Sequence, residues 1–338
     1  MSRLIGLLSS SAVVATFLVA GLGTVTPAAA VTCTPTGFVR DGINMTAAQI
    51  GGNVTGSLDA SPCNIGVYYD NTTSGNVTGA NIFGANYFGV VVNGEVGAVS
   101  VNVTGSTIHD IGETPLNGTQ HGNAIYYRAF GGSASGTISG NTVTHYQKNG
   151  ITINGNVSAT IANNTVKGEG PVPYIAQNGI QVGYGAQATV TENTVTGNAY
   201  TGANGASSGG ILVVGGPCFG QPYTTGLSIM KNTLTGNDVG VWLFNADAGC
   251  ATTTTRTANR VILNTITNDF VTNTTGYSAS CGYQAGIADV GIDDVIVNNE
   301  ISGFGYTPTA GGDCTGSMPA FLRFIDADSS ARGVSSNK

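Results

Sequence analysis

The amino-acid sequence predicts an all-β fold in which short strands wind into a solenoid, and three observations lead to this expectation. A phrase of the form aliphatic-x-x-Asn-x-aliphatic recurs between residues 103 and 301, for example IANNTV at residues 161–166. Self-similarity at a period of 20 to 50 residues is typical of a solenoid. The composition has 52 glycines in 338 residues and only 9% charged residues, and it lacks long helical patterns. Such a composition favours short strands and tight turns over helices.

Residues 1–30 predict a secretory signal peptide. Arg3 precedes an apolar stretch over residues 4–23, and three alanines at 28–30 supply a cleavage site. An uncleaved membrane anchor is the alternative, because the apolar stretch is nearly long enough to span a bilayer. We expect cleavage before Val31 and a secreted, extracellular protein that is not in a membrane. The net charge of −7 and the scarcity of lysine argue against nucleic acid as a partner.

The strength of the repeat divides the mature chain into three parts. The phrase is weak over residues 31–75, which we expect to form an N-terminal cap and the first coil. It is regular over residues 76–305, which predict the stacked coils. Residues 306–338 lose the period and predict a C-terminal cap or tail over the last unpaired edge. Residues 31–338 are therefore expected to form a single domain.

Six cysteines, all after residue 30, indicate disulfides in an oxidising compartment. A zinc site is the alternative, but no two of these cysteines have the Cys-x-x-Cys spacing of metal ligands. Because each coil of a solenoid contacts only its neighbours, we expect pairing between cysteines that are close in sequence. The predicted pairs are Cys33–Cys63, Cys218–Cys250 and Cys281–Cys314.

Alignment of the coils stacks two kinds of residue into columns. A buried asparagine amide can bond to the amides above and below it and to backbone groups that a bend leaves unpaired. Asparagine also tolerates a left-handed backbone, and the glycines predict a second bend, with Ala124 in that place in one coil. The asparagine column comprises Ser106, Asn141, Asn164, Asn193, Asn232, Asn264 and Asn299, and the glycine column comprises Gly89, Gly150, Gly179, Gly210, Gly240 and Gly286.

These columns, together with the segments YQKNGI at 146–151 and IAQNGIQV at 175–182, resemble a known repeat. They are similar to the right-handed parallel β-helix of the pectate lyase-like superfamily, and to secreted bacterial β-helix repeat proteins of unassigned function. The resemblance covers about residues 77–305. It implies a right-handed parallel β-helix (solenoid) with an internal Asn ladder, and it carries no catalytic motif over to this chain.

Unequal connections between the coils point to a binding face. Long loops on one side of a solenoid commonly build its binding surface. All three histidines and two of the four lysines lie within residues 109–167. Stacking is expected to bring His121, Lys148 and Gln177 into one column. The long connections span residues 109–123, 167–178, 196–209 and 267–285.

The cluster suggests β-elimination on a uronate-containing polysaccharide. In that reaction a base removes the proton α to a carboxylate while a cation neutralises the carboxylate. We predict Lys148 as the base, Arg128 at the carboxylate, and His121 or Tyr126 as the proton donor. For each residue a structural role is the alternative, such as a solvated Lys148. The predicted substrate-binding residues are Tyr126, His145, Tyr146, Glu169, Tyr174 and Gln177.

Other functions remain open at this point. A non-catalytic glycan-binding or cell-surface solenoid would use the same face. A glycoside hydrolase would need two carboxylates across the glycosidic bond, for which Glu113, Glu169, Asp110 and Asp238 are the candidates. An ice-binding surface is set aside because no regular Thr-x-Thr repeat is evident across the coils. We expect a monomer whose partner is a polysaccharide or cell-surface glycan. Ca²⁺ is the cofactor that the proposed chemistry allows, and Asp293 and Asp294 are expected to form a turn or a weak Ca²⁺ contact.

Overall fold

The computed structural model describes residues 31–274, 282–306, 320–327 and 331–335. Its coils each run along three sides, and the strands of each side stack in parallel from coil to coil. The first side starts with β2, because Ala47 pairs in parallel with Ile65 of the next strand. Its strands are β2 (Ile43–Ile50), β4 (Ile65–Asp70), β6 (Phe88–Asn93), the first half of β10 (Asn123–Ser139) and of β12 (Asn149–Ala162), β14 (Asn178–Gly183), β17 (Gly209–Gly215), β20 (Val239–Asn245), β23 (Gly282–Asp289) and β26 (Ala320–Ala327).

The second and third sides are shorter and meet at the asparagine bend. The second comprises β7 (Ala98–Ser100), β8 (Val103–Thr104), the second halves of β10 and β12, β15 (Gln187–Thr191), β18 (Ser228–Met230), β21 (Arg260–Ile262), β24 (Val295–Val297) and β27 (Arg332–Ser335). The third comprises β3 (Val54–Asp59), β5 (Val77–Phe83), β9 (Thr107–His109), β11 (Thr142–Thr144), β13 (Thr165–Val172), β16 (Thr194–Tyr200), β19 (Thr233–Thr235), β22 (Thr265–Thr267) and β25 (Glu300–Ser302).

This architecture confirms the predicted right-handed parallel β-helix. Alternation of side chains fills the interior, since Ile151 and Ile153 are fully buried while Thr152 between them points to the outer face. Strands β26 and β27 continue the first and second sides in parallel. The described residues beyond 306 therefore add a further coil. Only two short 3₁₀ turns interrupt the β-structure of the described residues, at Pro217–Phe219 and Ala248–Cys250.

The internal Asn ladder is confirmed. The Asn164 side-chain amide donates to Asn193 Oδ1 at 2.9 Å and to the Ile138 carbonyl at 2.9 Å. Its own Oδ1 accepts from the backbone and side-chain nitrogens of Asn141. The left-handed residue of the bend is, however, the one before the ladder position, such as Leu263 with φ of 58°. The same backbone occurs at Gly105, Gly140, Asn163, Glu192, Lys231 and Asn298.

The glycine column stacks as predicted, but it does not mark a bend. Gly150 and Gly179 lie inside β12 and β14. A Cβ on Gly150 would lie 2.4 Å from Cγ1 of Val166, on the opposite side of the coil, and 2.7 Å from the Gly179 carbonyl oxygen. Glycine is needed because the first and third sides approach closely, so the expectation of a second glycine bend was wrong.

The N-terminal segment folds onto the outside of the helix. Strand β1 (Thr34–Arg40) pairs antiparallel with β2. Phe38 of β1 packs on the outer face of the first side, with ring centroids 6.4 Å from Tyr68 and 6.1 Å from Phe88. The N-terminal segment therefore covers part of the outer face of the first side with β1, and its strand β2 begins the parallel stack.

Two of the three predicted disulfides are confirmed. Cys33 bonds to Cys63 with a Cα–Cα distance of 5.4 Å, and Cys218 bonds to Cys250 with a Cα–Cα distance of 4.7 Å. The second bond joins the loops that follow β17 and β20 on neighbouring coils. The predicted pair Cys281–Cys314 lies outside the described residues, as does the predicted signal peptide. No helix among the described residues is long and apolar enough to cross a membrane.

The outer face of the third side carries a regular Thr-x-Thr array, so the reason for setting ice binding aside was wrong. Thr194 pairs with Thr233 on the next coil, and Thr233 pairs with Thr265 on the coil after it. Thr196, Thr235 and Thr267 form a second column in the same way. These side chains are exposed or half-buried. Lys167 interrupts the second column on β13. The array comprises Thr142, Thr144, Thr165, Thr194, Thr196, Thr233, Thr235, Thr265 and Thr267.

Candidate functional site

A groove of about 450 Å³ crosses the outer face of the first side. Strands β10, β12 and β14 form its floor. Arg40, at the end of β1, lies on one wall, and Gln221, in the loop held by the Cys218–Cys250 disulfide, lies on another. The complete lining is Arg40, Phe88, Gln120, Asn123, Tyr126, Arg128, Phe130, Lys148, Asn149, Thr152, Asn154, Gln181, Tyr184 and Gln221.

Side-chain amides form a fixed polar floor. The Asn149 amide donates to Thr152 Oγ1 at 3.0 Å and to Gln181 Oε1 at 3.2 Å. Gln181 in turn donates to Asn154 Oδ1 at 3.1 Å. Asn123 Oδ1 is buried at one edge of this floor, with no hydrogen-bond partner among the described residues. A buried acceptor of this kind favours a ligand that brings a donor, because burial without a partner costs free energy.

Lys148 is the groove residue with the most unusual electrostatics. It is half-buried, and its Nζ donates to the Ala176 carbonyl at 2.8 Å. Burial lowers the pKa of its ammonium group to about 8, since the charged form loses hydration. No carboxylate lies within salt-bridge distance of this ammonium among the described residues. At mildly alkaline pH the Lys148 amine can therefore be neutral and accept a proton.

Arg128 lines the same groove, but its guanidinium is already well supplied with partners. It donates to Asn93 Oδ1 at 2.8 Å and contacts Glu95 Oε2 at 3.1 Å. It also lies over the rings of Phe38 and Phe130, at 5.0 and 5.5 Å. These contacts hold the guanidinium in place, so Arg128 fixes the groove wall as well as offering a cation to a ligand.

Register separates Lys148 from Arg128. Arg128 pairs with Asn154, which is six positions after Lys148 along β12. Six positions in a strand correspond to about 20 Å. The two cations therefore lie towards opposite ends of the groove, and the sequence alone did not reveal this separation. Arg40, which sequence reasoning missed, is a third cation in the groove lining, on the wall formed by β1.

Of the two predicted proton donors, only Tyr126 lines the groove. Its ring stacks on Phe88 with centroids 5.2 Å apart. His121 is buried beside the groove, stacked on Tyr87 at 3.7 Å, with Nε2 2.7 Å from Glu113 Oε1. His121, Lys148 and Gln177 were predicted to share one column. His121 is displaced by one residue, because the backbone amide of Lys148 donates to the carbonyl of Gly122, the residue after His121.

Two of the predicted substrate-binding residues serve the fold, and a third lies outside the groove lining. Tyr146 is fully buried, and its hydroxyl donates to Asn198 Oδ1 at 2.6 Å. Gln177 is fully buried and ties its loop to the backbone of Tyr146 and Glu169. Tyr174 is half-buried in the loop that follows β13 and does not line the groove. Burial excludes Tyr146 and Gln177 from contact with a ligand in this arrangement.

The remaining predicted residues, His145 and Glu169, form a separate surface cluster with His109 and Asp110. His145 Nδ1 lies 2.9 Å from Glu169 Oε1, and its Nε2 lies 3.6 Å from Asp110 Oδ1. His109 Nδ1 lies 2.5 Å from the other oxygen of Asp110. This cluster follows the third side and does not line the groove. Because these residues are close in sequence to the groove residues, they were predicted to share one site with them, whereas the structure places the two groups in separate sites.

The candidate hydrolase carboxylates do not meet in the groove. Neither Glu113 nor Glu169 nor Asp110 lines it, and Asp238 is buried elsewhere. Burial raises the pKa of Asp238 to about 7, although four donors bond to its carboxylate. In the part of the chain that the structure describes, the groove lining contains cations, amides and aromatic rings but no carboxylate. That part also holds no group of three or more His, Cys, Asp or Glu residues arranged for a metal ion.

Comparison with known proteins places the chain by fold. Residues 41–219 match the family described as right handed beta helix region. A comparison with curated proteins gives no match. Similar solved structures include DFA-IIIase from Arthrobacter chlorophenolicus A6 in complex with GF2, which is 14% identical with a TM-score of 0.44, over 88% of this chain and 64% of that chain. The Dettilon tailspike protein is 14% identical with a TM-score of 0.37, over 85% of this chain and 62% of that chain. The chain thus spans less than two thirds of the length of these structures, and likeness at this level carries no conclusion about activity.

Proposed function

We propose that the cationic groove binds an acidic, uronate-containing polysaccharide outside the cell, in a chain that belongs to the right-handed beta helix family. Arg40, Arg128 and Lys148 line the groove, and no carboxylate lines it among the described residues. Aromatic rings for stacking and amides for sugar hydroxyls complete a lining suited to a charged glycan. The charge of the lining is the observation that supports an anionic ligand.

The sharper form of the proposal is a lyase that acts by β-elimination, with Lys148 as the base. The neutral Lys148 amine takes the proton α to the uronate carboxylate. The electron pair of that C–H bond forms the new double bond as the β C–O bond breaks. Tyr126 donates a proton to the departing oxygen, and Arg40 faces the carboxylate in place of the more distant Arg128. The pKa of about 8 for Lys148 supports this assignment, since an unperturbed lysine would stay charged.

The test is the ultraviolet absorbance of the unsaturated uronate product during incubation with pectate, alginate and glycosaminoglycans. Only elimination creates this conjugated product. We expect Lys148→Arg to retain binding, because its charge persists, and to lose about a hundredfold or more in turnover, because guanidinium cannot act as the base. Lys167→Arg is the matched control, since Lys167 lies on the third side away from the groove.

The pH profile provides an independent check. Turnover should rise with pH and level off above about 8, as the Lys148 ammonium loses its proton. Formation of new reducing ends from a polymer without the unsaturated product would indicate a hydrolase and would reject the role of Lys148 as the base. Binding without turnover of any polymer, lost in Lys148→Ala, would leave a non-catalytic glycan-binding solenoid. Absence of binding to every acidic polymer would reject the proposal as a whole.

Ice binding is a second candidate, and the Thr-x-Thr array favours it. The rows are about 4.8 Å apart between coils, and threonines within a row are about 6.7 Å apart. Rigid rows of hydroxyl and methyl groups can hold water in an ordered lattice. We expect thermal hysteresis during freezing that Thr233→Lys abolishes. Thr189→Lys, on the exposed face of the second side, should leave it unchanged. Ice growth indistinguishable from that in buffer would exclude this function.

A further inference from the structure

A second cavity lies on the same outer face, nearer the C-terminal end. It measures about 210 Å³. A row of aromatic contacts leads to it from the groove: Tyr184 to Phe219 at 6.2 Å, Phe219 to Phe244 at 5.5 Å, and Phe244 to Trp242 at 5.2 Å. The cavity is lined by Trp242, Phe244, Tyr283, Ala288, Asp289, Val290, Asp326 and Ala327.

Stacking of the coils creates this cavity. Trp242 of β20 pairs with Ala288 of β23, and Ala288 pairs with Asp326 of β26. The three residues therefore occupy one outward column on successive coils, about 4.8 Å apart. The small Ala288 side chain leaves space between the indole of Trp242 and the carboxylate of Asp326. Tyr283 lies next to this space, with its ring 6.3 Å from that of Trp242.

The charge of the cavity is opposite to that of the groove. Asp326 contributes an exposed carboxylate and Asp289 a buried one, whose Oδ1 accepts from the Gly291 amide. No lysine or arginine lines the cavity among the residues that the structure describes. The Tyr283 hydroxyl donates to Asp326 Oδ2 at 2.6 Å, which holds this carboxylate at the rim. Aromatic faces together with carboxylates attract organic cations, because the ring quadrupole and the negative charge act in the same direction.

We propose that this cavity is a second binding site, which takes an ammonium group carried by an amino sugar or by a choline-type quaternary ammonium. Its volume suits one sugar ring or one headgroup, since sites for drug-sized ligands are larger, at about 300 Å³ or more. The carboxylates disfavour uronates, so the site is distinct in specificity from the groove. The proposal goes beyond the proposed function and stands whether or not the groove binds an acidic glycan.

Trp242 is the only tryptophan of the chain, so its fluorescence reports on this cavity alone. The full-length protein would be titrated with a glucosamine tetrasaccharide, with its N-acetylated counterpart and with choline, at a pH that keeps the amine protonated. We expect the glucosamine oligomer, choline or both to change the emission saturably. The N-acetylated oligomer should have little effect, because acetylation removes the charge.

Variants test the charge and the location separately. Asp326→Asn should weaken binding of the cation about tenfold, as expected for loss of a charge-assisted contact. This variant keeps an acceptor for the Tyr283 hydroxyl. Asp269→Asn removes an exposed carboxylate that does not line the cavity and should leave binding of the cation unchanged.

Each outcome is decisive for the second site. Saturable quenching by choline alone would identify a headgroup site, and quenching by the glucosamine oligomer alone would identify an amino-sugar site. Equal quenching by the N-acetylated oligomer, or unchanged affinity in Asp326→Asn, would overturn the assignment of a cation site. Unaltered emission with all three probes, together with no heat of binding by calorimetry, would overturn the site itself.

Discussion

Asn164 shows how much one side chain can contribute to this fold. Its amide satisfies the Ile138 carbonyl and Asn193 Oδ1, and its Oδ1 accepts two hydrogen bonds from Asn141. Asn164→Ala leaves these buried groups without partners. We expect a loss of about 1–3 kcal/mol in the free energy of unfolding, because an orphaned buried polar group costs its desolvation.

Chemical denaturation of the wild type and of Asn164→Ala measures this loss. Thr165→Ala is the matched control, since Thr165 is the exposed neighbour on the same coil, and it should change stability by no more than about 0.5 kcal/mol. An equal stability for the wild type and Asn164→Ala would show that the ladder does not stabilise the fold.

Predictability differs among the candidate site residues for physical reasons. Period-2 alternation placed Tyr126 on the outer face, where it lines the groove. Sequence could not place Tyr146, because it follows a bend at His145 with φ of 48° that turns its ring into the core. Arg40 was missed because its position depends on a hairpin that packs against distant strands.

At the scale of the elements, local phrases predicted strands and their columns well. The asparagine and glycine columns follow from the short phrase that surrounds each position, although the coils differ in length: Asn164 follows Asn141 by 23 residues and Asn232 follows Asn193 by 39. What the columns do depends on neighbouring coils, and this was harder to predict. Glycine is required at position 150 because the backbone there lies close to Val166 of the third side. The sequence of the strand alone does not reveal this contact. The antiparallel pairing of β1 with β2 departs from the repeat. A prediction made from the repeat therefore could not place β1 in the groove wall.

At the scale of the whole molecule, the buried acid Asp238 makes stability depend on pH, because its ionisation opposes folding. Asp238 accepts hydrogen bonds from the amides of Tyr200 and Ser208 and from the side chains of Asn273 and Thr272. Burial raises its pKa from 3.8 to about 7. Between these pH values the folded state binds more protons than the unfolded state, so stability falls as pH rises from 3.8 to about 7 and levels off above it.

Asp238→Asn should remove this part of the pH dependence. An asparagine oxygen can accept the bonds from Tyr200 and Ser208 without carrying charge. The measurement is the free energy of unfolding from pH 4 to pH 8 for the wild type, Asp238→Asn and the exposed control Asp269→Asn. Parallel curves for the wild type and Asp238→Asn would contradict a raised pKa at this carboxyl.

The Asn ladder also gives the molecule a direction. Both the backbone nitrogen and the side-chain amide of Asn141 donate to Asn164 Oδ1, and the same pattern links Asn232 to Asn264. Along this column the backbone N–H and one side-chain N–H of each of these asparagines point towards the following coil, while the second side-chain N–H bonds back, as from Asn164 to the Ile138 carbonyl. Loss of the last coil would strand two buried N–H groups of the preceding asparagine, whereas loss of the first would strand one side-chain N–H and the Oδ1 acceptor of the next asparagine. Buried acceptors without a partner are tolerated better than buried N–H groups. A polypeptide that is shortened or still incomplete at its C-terminal end thus has an unfinished ladder, and completion of each coil waits for its successor.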